Sequence, residues 1–119
     1  MLMKTVLYVD DEPLNLELFK INYRLDFNVL TALSAREALE LKGQNPEISL
    51  IFSDMKMPEM NGVEFIRKVK SKDPDIPCFI LTGYDISDEI REALDTRLIE
   101  KYFQKPLDFK EIREIIKGM

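Results

Sequence analysis

Lys-Thr-Val-Leu-Tyr-Val, from Lys4 to Val9, is followed directly by Asp10-Asp11-Glu12-Pro13. Its apolar and β-branched residues form one short run, which is typical of a strand buried on both faces of a sheet. The acidic residues end that strand, and the proline suits the first turn of a helix. Leu14, Leu18 and Ile21 follow at i, i+4 and i+7, so we expect a helix with these three residues on its apolar face.

The same order of a strand followed by a helix recurs along the chain. Each later apolar run is followed by cap or loop residues and then by a stretch with helical spacing. Gly43 is expected to end the second helix. The predicted strands span residues 4–9, 27–31, 49–53, 77–81 and 99–103. The predicted apolar faces of the later helices are Ala35, Ala38 and Leu39, then Val63, Ile66 and Val69, then Ile86, Ile90, Ala93 and Leu94, and last Phe109, Ile112, Ile115 and Ile116.

This alternation predicts an α/β fold with an all-parallel sheet. Parallel strands need long crossover connections, which the helices provide, and both faces of such a sheet need cover. The favoured solution for five strands is a doubly wound, flavodoxin-like (βα)5 fold with strand order 2-1-3-4-5. The 119 residues contain no linker, repeat or low-complexity segment, so we expect one domain over residues 1–119 and no second domain.

Composition excludes several classes of function. The chain has 17 Lys and Arg against 22 Asp and Glu, a net charge of −5, which argues against direct nucleic-acid binding. It has no histidine, which excludes a Ser/His/Asp triad, a histidine-based zinc site and a phosphohistidine donor. Its single cysteine, Cys78, fits a reducing compartment. Without a signal peptide or long apolar span, we expect a cytoplasmic protein that does not associate with membranes.

Polar residues follow four of the predicted strands at their carboxyl ends. In an open α/β sheet, the ligand site lies outside these ends, near the point where the strand order reverses. Strands one and three are neighbours in the expected order, so the carboxylates of Asp10, Asp11 and Asp54 should converge there. The residues at the strand ends are Asp10-Asp11-Glu12, Asp54, Thr82-Gly83 and Gln104-Lys105-Pro106.

Three clustered carboxylates repel one another unless a cation lies among them. Because only oxygen ligands are at hand, Mg²⁺ or Mn²⁺ is the expected ion. Thr82 supplies a hydroxyl group and Lys105 a point charge, which together would hold two further oxygens of a tetrahedral anion. The set predicts a phosphoryl-transfer site with Asp54 as the nucleophile.

Each of these residues, taken alone, also has a simpler explanation. The acids before Pro13 would serve as a helix cap, and Asp54 as a turn residue. Thr82 would be an ordinary strand residue and Lys105 an ordinary surface lysine. The functional interpretation is favoured because all of them fall at one edge of one predicted sheet.

Four short motifs contain these residues. They are Val9-Asp10-Asp11-Glu12-Pro13, Asp54-Met55-Lys56-Met57-Pro58-Glu59-Met60-Asn61-Gly62, Leu81-Thr82-Gly83-Tyr84 and Tyr102-Phe103-Gln104-Lys105-Pro106. In this order and at this spacing they resemble the receiver domain of two-component response regulators, along essentially the whole chain. The motif that begins at Asp54 is the most specific of the four. One departure is Arg97, which stands where a subset of the family has glycine.

The resemblance implies a role for each acidic residue of the site. Asp54 matches the phosphoacceptor, which takes a phosphoryl group from the phosphohistidine of a histidine kinase or phosphotransfer protein. Asp11 matches a direct Mg²⁺ ligand and Asp10 a water-mediated one. Asp54 itself and the main-chain carbonyl of Lys56 match the remaining metal ligands that the protein supplies.

The resemblance also implies how the site communicates with a surface. Thr82 and Lys105 match the groups that bind the phosphoryl oxygens. The Lys105-Pro106 peptide bond is expected to be cis. Tyr102 matches a switch aromatic that turns inward when Thr82 moves, although by itself it would be interpreted as a packed aromatic residue. The output surface for an effector protein or a homodimer is expected on helix four, strand five and helix five. It is expected to include Ile90, Leu94, Tyr102 and Phe109 or their neighbours.

Three functions remain open from the sequence. The first is a phosphorylatable signalling module, not an enzyme on other substrates, that catalyses only its own phosphorylation and slow dephosphorylation. Lys56 and Tyr84, two residues beyond Asp54 and Thr82, are expected to tune the lifetime of its phosphoryl group. The second is an interaction module with the same fold that works without phosphorylation. The third, a metal-dependent phosphohydrolase, is disfavoured because Lys56 stands where a second acid would follow the nucleophile.

Overall fold

A computed structural model describes residues 3–83 and 86–119, so Tyr84 lies outside the described residues. It contains five parallel strands in the order β2-β1-β3-β4-β5, alternating with five helices, which confirms the predicted fold class. The strands are β1 (Thr5–Val9), β2 (Asn28–Ala32), β3 (Ile48–Asp54), β4 (Cys78–Thr82) and β5 (Lys101–Gln104). The helices are α1 (Pro13–Tyr23), α2 (Ala35–Gln44), α3 (Gly62–Lys72), α4 (Asp88–Asp95) and α5 (Phe109–Lys117).

Helix α1 buries a different face from the one predicted. The prediction that Leu14, Leu18 and Ile21 form its apolar core face is wrong, because all three are exposed. The buried residues are Leu16, Phe19 and Tyr23, which have nearly the same helical spacing. Aromatic partners decide between the two stripes. The Phe19 ring stacks on Tyr8 of β1 at 4.3 Å between ring centroids and contacts Tyr23 at 4.7 Å, and such rings bury more apolar surface than leucines.

Two further boundaries differ from the prediction. Helix α2 continues one residue past Gly43, to Gln44, because this glycine keeps a negative φ and does not form the left-handed cap that would end a helix. Strand β5 begins at Lys101, two residues later than predicted. Ile99 precedes it as a buried residue whose N–H donates to the carbonyl of Ala93, so its backbone is hydrogen-bonded to the last turn of α4.

The sheet separates two apolar clusters. Helices α2, α3 and α4 pack on one face, where the predicted inward residues Val63, Ile66 and Val69 of α3 are buried. Helices α1 and α5 pack on the other face, around stacked rings such as Phe52 and Phe79, whose centroids lie 4.7 Å apart. Because side chains alternate along each strand, a strand such as β1 supplies both clusters, and this holds the carboxyl ends of the strands in fixed positions. None of the described helices is long and apolar enough to cross a membrane.

Side-chain caps begin four of the five helices. Ser34, Asn61, Ser87 and Asp108 each accept a hydrogen bond from the backbone N–H three residues later. The start of α1 is different, because its N-cap residue Glu12 makes no side-chain cap. The acids after β1 are therefore not used as a conventional helix cap.

Candidate functional site

The carboxyl ends of β1, β3 and β4 bring the predicted residues to one edge of the sheet. Asp10 directly follows β1, Asp54 ends β3 and Thr82 ends β4. These three residues are buried, whereas Asp11 is exposed. One carboxylate oxygen from each of Asp10, Asp11 and Asp54 can be chosen so that all three atoms lie within 4.8 Å of one another. The structure thus brings together the acidic cluster expected from the sequence.

Lys105 lies between two of these carboxylates. Its Nζ atom is 3.2 Å from Oδ2 of Asp10 and 3.3 Å from Oδ1 of Asp54. The backbone N–H of Lys105 donates to the carbonyl of Thr82 at 2.8 Å, so β5 and β4 remain paired up to the site. The bond from Lys105 to Pro106 is cis, as the resemblance implied.

Two further side chains hold Asp10, and neither was predicted from the sequence. The hydroxyl group of Tyr8 donates to Oδ2 of Asp10 at 2.5 Å, and the Asn15 amide donates to the same oxygen at 3.1 Å. The backbone N–H of Glu12 donates to Oδ1 at 2.9 Å. Tyr8 shares a strand face with Asp10 by the two-residue period, and this is the only signal in the sequence that points to it. Asp10 is therefore buried with a fixed orientation.

Burial and crowding of charge alter the acid–base properties of the site. Burial, together with the negative charge of Asp10, raises the pKa of Asp54 to about 6, although Lys105 acts in the opposite direction. Burial lowers the pKa of Lys105, but the carboxylates of Asp54 and Asp10 raise it more, so its pKa lies above the ordinary lysine value. Burial and the adjacent Asp10 also raise the pKa of Tyr8, which stays a neutral donor. The site holds more negative than positive charge.

The donor set fits a hard divalent cation. Among the described residues, the cluster consists of three carboxylates and offers oxygen atoms without nitrogen or sulfur ligands, which is the set that Mg²⁺ and Mn²⁺ accept. The exposed side of the cluster opens to solvent, so bound water can complete the coordination of such an ion. Residues around this opening are Asp11, Glu12, Asp54, Lys56, Gly83 and Lys105.

The loop after Asp54 is packed tightly against the site. The N–H of Gly62 donates to the carbonyl of Met55 at 2.9 Å. A Cβ atom at Gly62 would lie 2.5 Å from the backbone oxygen of Asp54, so any larger residue would displace the acidic strand end. The preceding residue, Asn61, caps α3 and also donates to Glu89 of α4 at 3.0 Å. This contact, which was not predicted from the sequence, joins the loop to α4.

Thr82 and Tyr102 emerge on the same face of the sheet. In the register of β4 and β5, Ile80 lies beside Tyr102, and Thr82 is two residues further along β4. Tyr102 is half-buried and packs against the cluster that contains α4. Of the other residues expected on the output surface, Leu94 is exposed.

One of the residues expected on that surface is covered. Ile90 is fully buried, so it cannot contact a partner directly, and this part of the prediction is corrected because the helical spacing of α4 points its side chain into the core. Phe109, the first residue of α5, is half-buried, and its ring packs against Tyr23 of α1 at 5.7 Å.

The comparisons with known proteins agree with this geometry. A family model described as response regulator receiver domain matches residues 6–117. The hydrogenase transcriptional regulatory protein HoxA of Cupriavidus necator is 36% identical over 102 residues, which are 86% of this chain and 21% of that protein. The two-component response regulator ORR5 of Oryza sativa is 33% identical over 113 residues, which are 92% of this chain and 84% of that protein.

Solved structures extend the comparison. The response regulator protein TrrA of Thermotoga maritima, in complex with Mg(2+)-BeF, superposes with a TM-score of 0.82 at 31% identity and covers 98% of each chain. A response regulator receiver domain protein from Clostridium thermocellum has a TM-score of 0.86 at 28% identity and covers 98% of this chain and 93% of that one. The chain spans about a quarter or less of several curated regulators that it matches, such as 24% of ZraR of Escherichia coli. The fold, the four motifs and the family match together place this chain in the response regulator receiver domain family, the signalling domain of two-component systems.

Proposed function

We propose that this chain accepts a phosphoryl group on Asp54 from the phosphohistidine of a histidine kinase or phosphotransfer protein, in a Mg²⁺-dependent reaction. The observation that carries the proposal is the surroundings of the Asp54 carboxylate. It lies at a strand end within 4.8 Å of carboxylate oxygens of Asp10 and Asp11, and 3.3 Å from the ammonium group of Lys105. A buried acid among other acids and one lysine has little structural purpose unless a cation and an anion are to be bound there.

Asp54 would act as the nucleophile. Its pKa of about 6 leaves it mostly ionised at neutral pH, as attack requires. One carboxylate oxygen attacks the phosphorus, the phosphorus–nitrogen bond of the donor breaks, and the imidazole leaves with the electron pair and takes up a proton from solvent. Because the transition state needs positioning and charge neutralisation more than proton transfer, the absence of histidine does not impede this step.

Other side chains would orient the phosphoryl group and the metal. Lys105 would move from its present contact with Asp54 to a phosphoryl oxygen, and the Thr82 hydroxyl would donate to another. Asp11, Asp54 and the main-chain carbonyl of Lys56 would hold Mg²⁺ directly, and Asp10 through water. When bound, Mg²⁺ would neutralise charge on the transferring oxygens.

The output would be a shift between two arrangements of one surface. Movement of Thr82 toward a phosphoryl group vacates space on the face that it shares with Tyr102, so the half-buried ring can turn inward. We propose that the face formed by α4, β5 and α5 then presents exposed residues such as Leu94 to an effector protein or to a second copy. Lys56, at the opening of the site, is proposed to tune how fast water removes the phosphoryl group, and Tyr84 is proposed for the same role.

The deciding experiment is the intact mass of the protein after incubation with acetyl phosphate and Mg²⁺. We expect a gain of one phosphoryl group that is lost in Asp54→Asn and in the presence of EDTA. Asp75→Asn, which removes an exposed acid elsewhere, is the matched control and should label like the unmodified chain. A parallel incubation with Mn²⁺ tests the second ion.

A chain that fails to label, under conditions in which another receiver domain labels, would contradict the proposal. It would favour the alternative of an interaction module that works without phosphorylation. Repeated turnover of small phosphate esters would instead favour the phosphohydrolase.

A further inference from the structure

The buried carboxylate of Asp10 has several donors on one of its oxygen atoms. Among the described residues, Oδ2 accepts from the Tyr8 hydroxyl at 2.5 Å and from the Asn15 amide at 3.1 Å. The same oxygen accepts from Nζ of Lys105 at 3.2 Å, and the side chain of Asp10 is completely buried. Tyr8 and Asn15 are neutral donors on an oxygen that already has a cation beside it. They therefore duplicate a contact that the lysine supplies.

This duplication matters because Lys105 has to move in the proposed function. Its Nζ atom lies between the carboxylates of Asp10 and Asp54, at 3.2 and 3.3 Å, and the proposed reaction draws it to a phosphoryl oxygen. A buried carboxylate that loses its cation is strongly destabilised unless other donors remain on it. Tyr8 and Asn15 would remain on the oxygen atom that the lysine leaves.

The surroundings of Tyr8 fix its hydroxyl group at this place. No part of its side chain is exposed, and its ring stacks on Phe19 at 4.3 Å between ring centroids. Its strand, β1, lies between β2 and β3 in the sheet, so backbone pairing on both sides holds the residue. The hydroxyl group therefore stays beside Asp10 when the flexible side chain of Lys105 moves.

We propose that Tyr8 and Asn15 are positioning residues, which keep the Asp10 carboxylate in place so that Lys105 can leave it for a phosphoryl oxygen. They act through Asp10 and need not touch the metal or the phosphoryl group. Without their hydrogen bonds, Asp10 retains Lys105 more strongly, and the site binds a phosphoryl group less well. The destination of Lys105 rests on the proposed function, whereas the support of Asp10 by these two donors does not.

The first test measures this support in the metal-free chain, without a phosphoryl group. Lys105→Met removes the ammonium group and keeps most of the side-chain length, as if the lysine had left Asp10. Urea unfolding in EDTA compares its effect in the unmodified chain and in Tyr8→Phe, which keeps the packed ring. We expect Lys105→Met to lower the folding equilibrium constant about fivefold more in Tyr8→Phe, because fewer donors then remain on Asp10.

Tyr23→Phe is the matched control for the tyrosine. Tyr23 is also completely buried, in the same apolar cluster as Tyr8, and its hydroxyl group donates to the backbone carbonyl of Phe109 at 2.8 Å. The variant removes a buried hydroxyl group that does not contact Asp10, so its effect should simply add to that of Lys105→Met.

A second pair of variants on α1 tests the amide donor. Asn15→Ala should show the same coupling to Lys105→Met as Tyr8→Phe. Asn22→Ala should show none, because the amide of Asn22 donates to the carbonyl of Leu18 at 2.7 Å and not to the site.

The second test measures how well the site binds beryllofluoride, a phosphoryl analogue, at saturating Mg²⁺, by NMR titration of the backbone amides. We expect Tyr8→Phe to raise the dissociation constant of beryllofluoride about fivefold and to change that of Mg²⁺ alone less than about twofold. A purely structural loss would change neither constant while the protein remains folded. In a Lys105→Met chain, Tyr8→Phe should have no further effect on beryllofluoride binding, because its influence passes through the lysine.

Two results would overturn the inference. One is additive effects of Tyr8→Phe and Lys105→Met on stability. The other is an equal dissociation constant for beryllofluoride in Tyr8→Phe and Tyr23→Phe. A chain that binds no beryllofluoride would contradict the proposed function instead, and the first test would still decide whether Tyr8 and Asn15 support Asp10, since it needs neither metal nor anion.

Discussion

The side-chain amide of Asn61 donates a hydrogen bond of 3.0 Å to a carboxylate oxygen of Glu89, which joins the loop after β3 to the first turn of α4. The side-chain carbonyl of Asn61 also accepts from the backbone N–H of Glu64, and the Glu64 carboxylate accepts from the N–H of Asn61 in return. One side chain therefore caps α3 and ties the loop beside the acidic site to α4.

The contact predicts a specific response to two substitutions. Asn61→Asp keeps a good helix cap but replaces the donor by a carboxylate facing Glu89, so we expect the free energy of unfolding to fall by about 1–2 kcal/mol. Glu89→Gln in the same chain supplies a donor again and should restore most of the loss. Urea unfolding of the four proteins in this cycle measures the coupling. Additive effects of the two substitutions would show that the contact contributes nothing to stability.

The crowded carboxylates predict that Asp54→Asn stabilises the metal-free protein at pH 8. The pKa of Asp54 is raised to about 6 in the folded state, from 3.8. The protonated carboxyl group therefore stabilises the folded state fully at a pH below the pKa of Asp54 in the unfolded chain. This stabilisation is lost as the pH rises through about 6. The neutral amide avoids this loss, so we expect a gain of about 1–3 kcal/mol at pH 8 and little difference at pH 3. Thermal unfolding in EDTA across this pH range tests the prediction, and equal stability at pH 8 would contradict it.

Added Mg²⁺ should stabilise the folded chain. An ion that binds only the folded state contributes about 2.7 kcal/mol when its concentration is a hundred times the dissociation constant. We expect the melting temperature to rise with Mg²⁺ concentration and the rise to be much smaller in Asp11→Asn, which removes one carboxylate from the cluster. Asp75→Asn, away from the site, serves as the control. An equal rise in all three proteins would mean that Mg²⁺ acts elsewhere.

Arg97 adopts a backbone conformation in which we expect glycine to be more stable. Its φ angle is 61°, in the left-handed region where side chains with a Cβ atom are disfavoured. Arg97→Gly should therefore raise the free energy of unfolding by about 1 kcal/mol. Arg97→Ala removes the same side chain without relieving the backbone and should give no gain. Thermal or urea unfolding distinguishes the two variants, and a similar gain in both would assign the effect to the arginine side chain.

Asp26 links the turn after α1 to α5 through two cations. Its carboxylate lies 3.0 Å from Nε of Arg113 and 3.3 Å from Nζ of Lys117. Loss of hydration raises the pKa of Asp26, but hydrogen bonds from Lys117 and Arg113 lower it more, so its pKa lies below the ordinary value. The stabilisation is therefore present above the unfolded pKa and is lost as the pH falls through the folded one. Asp26→Asn should lower the melting temperature at pH 7, and the difference should shrink as the pH falls below the ordinary range of carboxyl groups; an equal loss throughout would exclude the charge as the cause.

Much of the site was predictable because its residues stand at strand ends. The order of strands and helices follows from local apolar periodicity, and parallel strands with helical crossovers bring their carboxyl ends to one edge. The pattern of strands and helices is therefore sufficient to place Asp10, Asp54, Thr82 and Lys105 together. It is not sufficient for the supporting contact from Tyr8, because a buried aromatic residue in a strand has the same pattern whether or not its hydroxyl group meets an acid.

Short-range patterns and general rules of chain connection are sufficient to predict the alternating (βα)5 chain, the parallel sheet and the edge at which the acidic residues lie. Contacts between elements select which stripe of α1 is buried. Phe19 and Leu18 both satisfy a helical period, and the rings of Tyr8 on β1 and Phe52 on β3 favour burial of Phe19. Tertiary structure also decided the contact of Asn61 with Glu89, because partners 28 positions apart leave no periodic signal in the sequence.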